Sequence, residues 1–312
     1  MNARTRLREL LRGPDLLVMP GGCSPLYARM AEEVGFESFF LAGSQTAWFL
    51  YGVPDVGLLG LRDMAEHARH VAARTSIPVL VDGDTGYGNA VSVYHAVQEF
   101  VRAGVAGVQF EDQEAPKKSG TVAGRRCISI EEAVGKYRAA GAARDTLDPE
   151  FVVCARCDAI GAEGSTFEEA LERCVAYASQ GRADLIWLNS VQTREQVHEA
   201  CRRVPAPVMV IWGGEQPAPS LAEYQRLGVR VALYPVFTSV VGAQAAWDVL
   251  HDFKERGPSA LDDWAARARS SRWGRVDVPK LLGTDSVREL EEQFLPRSLQ
   301  RDYEATFGHR PT

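Results

Sequence analysis

The chain has no run of about 18 apolar residues, so no stretch of it would cross a bilayer as a helix. It also lacks an excess of positive charge. Its 35 Lys and Arg face 41 Asp and Glu, a net of −6, which argues against nucleic acid or an anionic membrane surface as a partner. The opening MNARTRLRELLRGPDLL is charged and has no apolar core of the roughly 7–15 residues that a signal peptide needs, so a cytoplasmic protein is expected. Cysteine is sparse, six residues at Cys23, Cys127, Cys154, Cys157, Cys174 and Cys201, and so scattered that free thiols are expected rather than a disulfide framework. Cys154 and Cys157 form a C-x-x-C, but FVVCARCDA reads as a buried strand on which residues three apart point to opposite faces. No second pair completes a zinc site. Nor is there an early G-x-G-x-x-G, of which GYG at 86–88 is only a fragment.

What is present is a large apolar fraction, 46% over 312 residues, arranged as alternating elements. Strands are expected at 16–22, 36–44, 78–86, 104–112, 151–159, 183–190, 207–214 and 229–235, separated by amphipathic stretches such as SPLYARMAEEVG and TFEEALERCVAYASQG. Several of these open on Ser or Thr and close on Gly, as capped helices do. Near-continuous apolar strands alternating with helices imply a parallel sheet covered on its outer face. Eight of them, in a chain of this length, imply a (β/α)₈ TIM-type barrel. No linker divides the chain. The barrel is expected over 1–257, and the charged, helical remainder, 258–312, as a C-terminal extension packed on the barrel or on a neighbouring subunit.

Catalytic groups of such barrels sit at the C-terminal strand ends. Polar residues gather there: Ser44, Asp82 with Asp84, Glu111 with Asp112, Arg156 with Asp158, and Asn189 with Ser190, while Asp55 follows the second strand. A single acid at a strand end is usually a cap or an ion pair, but the whole set is hard to explain that way. Asp82 and Asp84, two apart, are expected on one strand face. Carboxylates crowded together repel unless a cation is present, and hard oxygens with no histidine near them suit Mg²⁺ or Mn²⁺ held partly through water. Arg156 offers a two-pronged fork for a carboxylate or phosphonate, and Lys117 a charge for a developing oxyanion.

The motifs VDGDTGYGN, GVQFEDQ followed by PKK and Gly120, and ARCDA resemble the isocitrate lyase/phosphoenolpyruvate mutase superfamily, and the pattern around 43–55 and the late ELEEQF agree. The resemblance covers about 13–295. It implies a (β/α)₈ barrel, Mg²⁺, and a small carboxylate or phosphonate substrate whose C–C or P–C bond is cleaved or formed beside a pyruvate-type enolate. It also implies a homotetramer, a dimer of dimers, often with a helix exchanged between subunits. Carried over by motif, Asp82 would contact both metal and substrate, with Asp55, Asp84 and Glu111 holding the metal's waters. Gly43 and Ser44 would bind the substrate carboxylate, and Arg156 would pair with a substrate anion. Lys117 would head a mobile loop, 115–125, that closes over the site.

The departures from the family pattern fall in the substrate half. Ser119 and Thr121 stand where lyases of the family read Cys and His, and a hydroxyl is a poorer acid–base group near neutrality than a thiol. The sixth strand ends on Asn189-Ser190, nearer the mutase pattern. The seventh ends on Trp212, expected to narrow the pocket or form an apolar wall, and Ser24 replaces a frequent Asp or Asn. The reading is therefore a Mg²⁺-dependent carbon–carbon lyase with Lys117, Ser119 and Arg156 as catalytic residues and Gly43, Ser44, Asp82, Asn189, Ser190 and Trp212 at the substrate. The alternatives are P–C bond chemistry of mutase or phosphonopyruvate-hydrolase type, and a catalytically degenerate barrel that binds a metabolite.

Overall fold

The computed structural model describes residues 2–303 and 305. Eight parallel strands close into a barrel in chain order, β1 (Leu17–Gly22), β2 (Phe39–Leu41), β3 (Val79–Asp82), β4 (Gly107–Glu111), β5 (Val152–Cys157), β6 (Leu185–Val191), β7 (Val208–Trp212) and β8 (Val231–Tyr234). β1 pairs with β8 through Leu17 opposite Val231 and Met19 opposite Leu233, which closes the ring. The expected (β/α)₈ architecture is the one observed, with helices following the strands.

Side-chain alternation sorts each strand into two apolar sets, because successive residues of a strand point to opposite faces. Phe39, Val79, Val81, Val108, Phe110, Val153 and Ala155 belong to the layer between strands and helices. Met19, Phe40, Leu80, Cys154, Trp187 and Met209 fill the lumen. Cys154 and Cys157 do fall on opposite sides, lumen and helix layer, and both are free thiols. The N-terminal helix Ala3–Arg12 contributes Leu7 and Leu11 to the lumen set, so it plugs the barrel floor. Arg4 and Arg8 on that helix donate to the Val105 and Phe151 carbonyls ahead of β4 and β5.

The helices are capped where the sequence suggests. Ser24, Asn89, Ser129, Thr166, Thr193 and Ser220 each accept an N–H of the first turn. Gly35, Gly104 and Gly228 end helices in the left-handed region. Contacts divide the chain into two compact units between Ser239 and Val240. The first is the barrel. The second is helical, running from within helix Phe237–Arg256 through Ser259–Arg269, Val278–Leu281 and Thr284–Phe294. Among the described residues no helix is long and apolar enough to cross a membrane.

Candidate active site

The same alternation that fills the lumen with apolar side chains turns polar at its upper end. Above Leu80, Gln109, Cys154 and Trp187, the next inward positions are Asp82, Glu111, Arg156 and Asn189. All four are buried. Leu80, Cys154 and Trp187 below therefore form a largely apolar floor, and the charged layer lies on it. The Arg156 guanidinium stacks 4.3 Å over the Trp187 ring, and Trp187 meets Phe40 edge-on with centroids 5.6 Å apart.

Asp82 is held by backbone donors, its Oδ1 accepting from Asp84 N–H (3.0 Å) and its Oδ2 from Gly43 N–H (3.1 Å). With its amide turned to satisfy both ends, Gln109 also donates to Asp82 Oδ1. Asp84 does not share a strand face with Asp82 as expected, because β3 ends at Asp82 and Asp84 sits in the left-handed region at φ 48°. It opens a turn in which Gly86, Tyr87 and Gly88 also have positive φ. Buried Lys136, on helix Ile130–Leu147, pins this turn from outside by donating to the Thr85 carbonyl (3.0 Å).

The loop after β4 is folded over the mouth. Lys117 is 4% exposed, and its ammonium lies 2.5 Å from Asp55 Oδ1 and 2.7 Å from Asp84 Oδ1. Gly120 lies directly on Arg156: a Cβ there would stand 2.0 Å from Arg156 Nη2, so only glycine fits this approach. Ser119 sits at the loop tip, half-buried, its carbonyl accepting from Val122 N–H (2.9 Å). Ser44 lies in the short helical turn Gly43–Gln45 after β2.

Arg156 is heavily engaged. It lies 3.1 Å from Glu111 Oε2 and gives Asp158 Oδ1 two contacts, 3.2 Å from Nε and 3.0 Å from Nη2. Asp158, fully buried, also accepts from Asn189 Nδ2 and from Gln113 Nε2 (2.9 Å), and lies 3.4 Å from Arg125 Nη1. Asp158, Gln113, Arg125 and Trp187 are the site residues that sequence reasoning left without a role. Asp158 lies just past the end of β5 and meets Arg156 from there. The acid after Glu111 has a different use. Asp112 points into the helix layer, where its Oδ2 accepts from Tyr177 Oη (2.7 Å) and lies 3.4 Å from Arg173 Nη1. Its Oδ1 accepts from Asp158 N–H (2.8 Å), so Asp112 braces β5 from behind.

Trp212 departs from its expected place. Ile211 faces the lumen, and Trp212, one residue on, packs against the helix layer with its Nε1 donating to the Glu215 carbonyl (3.0 Å). It stands apart from the Asp82–Arg156 cluster because the strand's period of two turns it outward.

Burial and charge set the protonation of the mouth. Burial raises the Asp84 carboxyl from 3.8 to about 6, with Lys117 opposing and Asp82 and Asp55 adding to the rise. Burial likewise lifts Glu111 well above the carboxylate range against the pull of Arg156. For Lys117, burial favours the neutral amine, but Glu111, Asp84, Asp82 and Asp55 together outweigh it and hold the ammonium well above 10.5. Burial opposes ionisation of Asp158 too, yet Arg156, Gln113 and Arg125 bring its carboxyl below the usual range.

A divalent cation suits this donor set. Five buried carboxylates in the mouth, Asp55, Asp82, Asp84, Glu111 and Asp158, face three buried cations, Lys117, Arg125 and Arg156. Carboxyl groups outnumber the cations five to three, and the donors are hard oxygens. Among the described residues no three His, Cys, Asp or Glu side chains converge to cage an ion. The fit is thus to an ion that takes one or two carboxylates and keeps its waters, as Mg²⁺ does.

With the geometry in view, comparison with known proteins identifies the class. The family described as phosphoenolpyruvate phosphomutase matches residues 7–252. A 2,3-dimethylmalate lyase from Eubacterium barkeri is 34% identical over 296 residues, covering 94% of this chain and 99% of that protein. A 2-methylisocitrate lyase from Aeropyrum pernix is 38% identical over 254 residues, 80% of each chain. A solved phosphonopyruvate hydrolase in complex with oxalate and Mg²⁺ superposes with a TM-score of 0.82 at 29% identity, covering 95% of this chain and all of that one. The chain belongs to the phosphoenolpyruvate mutase/isocitrate lyase superfamily and is an enzyme of it.

Proposed function

We propose that the chain is a Mg²⁺- or Mn²⁺-dependent lyase that cleaves, or in reverse forms, a carbon–carbon bond in a small 2-hydroxy or 2-oxo polycarboxylate by way of a pyruvate-type enolate. The observation that carries this reading is the buried mouth, where five carboxyl groups meet three cations, with Lys117 brought into it by a closed loop. Similarity to dimethylmalate and methylisocitrate lyases over most of the chain supports C–C rather than P–C cleavage. Asp82 is assigned the direct contact to the ion, with Asp55, Asp84 and Glu111 reaching it through water. Bound there, the ion supplies positive charge to a substrate carboxylate and to the neighbouring oxygen.

The remaining roles belong to this chain's own groups. Arg156, oriented by Asp158 and Trp187, binds a second substrate anion through its fork, exchanging contacts with Glu111 for contacts with substrate. Ser44, beside Gly43, whose own N–H is engaged by Asp82, orients the first carboxylate through its N–H and hydroxyl. Lys117 stabilises the oxygen on which charge grows when the bond breaks. Ser119, at the loop tip, lies nearest in sequence to the proton-transfer position, but a hydroxyl ionises far above neutrality and is a weak acid–base group. Ser119 therefore acts through water or orients it. The loop, once closed, keeps bulk water from a reactive enolate.

A Mg²⁺-dependent panel of 2,3-dimethylmalate, 2-methylisocitrate, oxaloacetate and phosphonopyruvate, with products identified by NMR, tests the proposal. Turnover of a polycarboxylate to two smaller acids is the expected result, and phosphate released from phosphonopyruvate alone would refute C–C cleavage. A P–C reading is kept because of the likeness to phosphonopyruvate hydrolase. A merely binding barrel is disfavoured, since buried like charges are costly to keep without use. Exposed Val240, Val241, Trp247, Leu250 and Phe253 on helix Phe237–Arg256 support a homo-oligomer, which light scattering would test.

A further inference from the structure

Gly120 presents a single backbone carbonyl to the barrel, and three donors from two segments converge on it. Arg125 Nη1, at the C-terminal foot of the same loop, donates at 2.7 Å. Asn189 Nδ2 and Ser190 Oγ, both at the end of β6, donate at 3.3 Å each. The socket is built rather than incidental. Arg125 is buried, and its other prong donates to the Ile160 carbonyl (2.7 Å), so its fork is fixed to the barrel. Asn189 is oriented by Asp158. Ser190 holds φ at 62°, a conformation that L-residues avoid, and so aims its hydroxyl at the loop. Its backbone is wedged against Gly213, where a Cβ would stand 3.1 Å from Ser190 Cα.

We propose that Arg125, Asn189 and Ser190 form a latch for the Gly120 carbonyl, and that the polar pair ending β6 serves loop closure rather than substrate recognition. Arg125 is a positioning residue in this account, acting on the site through the loop. The inference goes beyond the proposed reaction and does not depend on which bond is broken. When the latch is engaged, Gly120 rests on Arg156 and Lys117 is inside the mouth. Release frees both at once, so substrate entry and charge assembly are coupled through one carbonyl.

The test uses trypsin on the full chain, without ligand. Lys118 is exposed and lies on the loop, so cleavage giving a new N-terminus at Ser119 reports loop opening. Cleavage after Arg202, in helix Arg194–Arg203, reports wider unfolding. The measured quantity is the ratio of the two rates, by mass spectrometry, for wild type, Ser190→Ala, Arg125→Lys and Gly120→Ala. Loss of one docking hydrogen bond should raise the ratio about five- to tenfold, and Gly120→Ala, which collides with Arg156, should raise it further. A ratio left at the wild-type value in both Ser190→Ala and Arg125→Lys overturns the proposal, whether because neither rate changed or because both rose together.

Discussion

Lys117→Met is the most informative single change, because the methionine keeps most of the unbranched stem and deletes the charge between two buried acids. Removing one partner of a buried ion pair costs about 3–5 kcal/mol when nothing relaxes. Here something can. Beyond Lys118, which Gln113 holds by two hydrogen bonds, the loop tip is held down by three hydrogen bonds to the Gly120 carbonyl, each worth about 1 kcal/mol net, so lifting the tip costs about 3 kcal/mol and lets Asp55 and Asp84 hydrate. The cheaper route should win: Lys117→Met should lose no more than about 3 kcal/mol of global stability while its loop opens. The effect should depend on pH. Asp84 sits at about 6, above its ordinary 3.8, so the folded state holds that proton more tightly than the unfolded chain does. Its contribution is fully present below about 3.8 and is lost as pH rises to about 6, about 3 kcal/mol at 1.36 kcal/mol per pH unit. Lys117 opposes this rise, so without it, while the loop stays closed, the loss extends above pH 6 until opening of the loop hydrates Asp84 and caps it. Lys117's own ammonium, held above 10.5, stays charged throughout this range. Urea unfolding in EDTA at pH 5 and pH 8 should therefore show a small difference between wild type and variant at pH 5 and a larger one at pH 8. Equal destabilisation at the two pH values, or wild-type stability with a protected loop, would refute the reasoning.

Asp82→Ala should abolish Mg²⁺ binding by calorimetry while circular dichroism shows a folded barrel, since removing one of several like charges relieves repulsion; undiminished affinity would sink the metal assignment. Ser119→Cys should give no gain in 2-methylisocitrate cleavage, because the neighbouring pocket positions have changed with the loop; a rise of about 10²–10⁴, typical of a restored general acid, would show that the hydroxyl was the sole obstacle. Arg173→Met should lower stability by about 1.5–3 kcal/mol, the worth of a hydrogen bond to a charged group, since Asp112 behind β5 keeps its Tyr177 and Asp158 donors, and a wild-type urea midpoint would contradict that brace.

The eight strands were legible in the sequence because a parallel barrel buries both faces of every strand. It therefore writes short apolar runs that no exposed segment imitates. The rim was legible for a related reason: acids, amides and an arginine at the ends of such runs have nowhere to go but the mouth. What a strand shows its own lumen also follows from its period of two, which separates Cys154 from Cys157. Parity likewise separates Glu111, at the mouth, from Asp112, bound to Tyr177 in the helix layer. It turns Trp212 outward as well, although its place at a strand end made it look like a pocket wall. Alternation fails where the chain leaves the strand. Asp84 reaches the mouth through a left-handed residue that no periodicity announces. The loop's docking was invisible for a deeper reason: Arg125, Gly120 and Ser190 meet only once the barrel has closed, and the group that joins them is a backbone carbonyl, which every residue carries and no sequence pattern can mark.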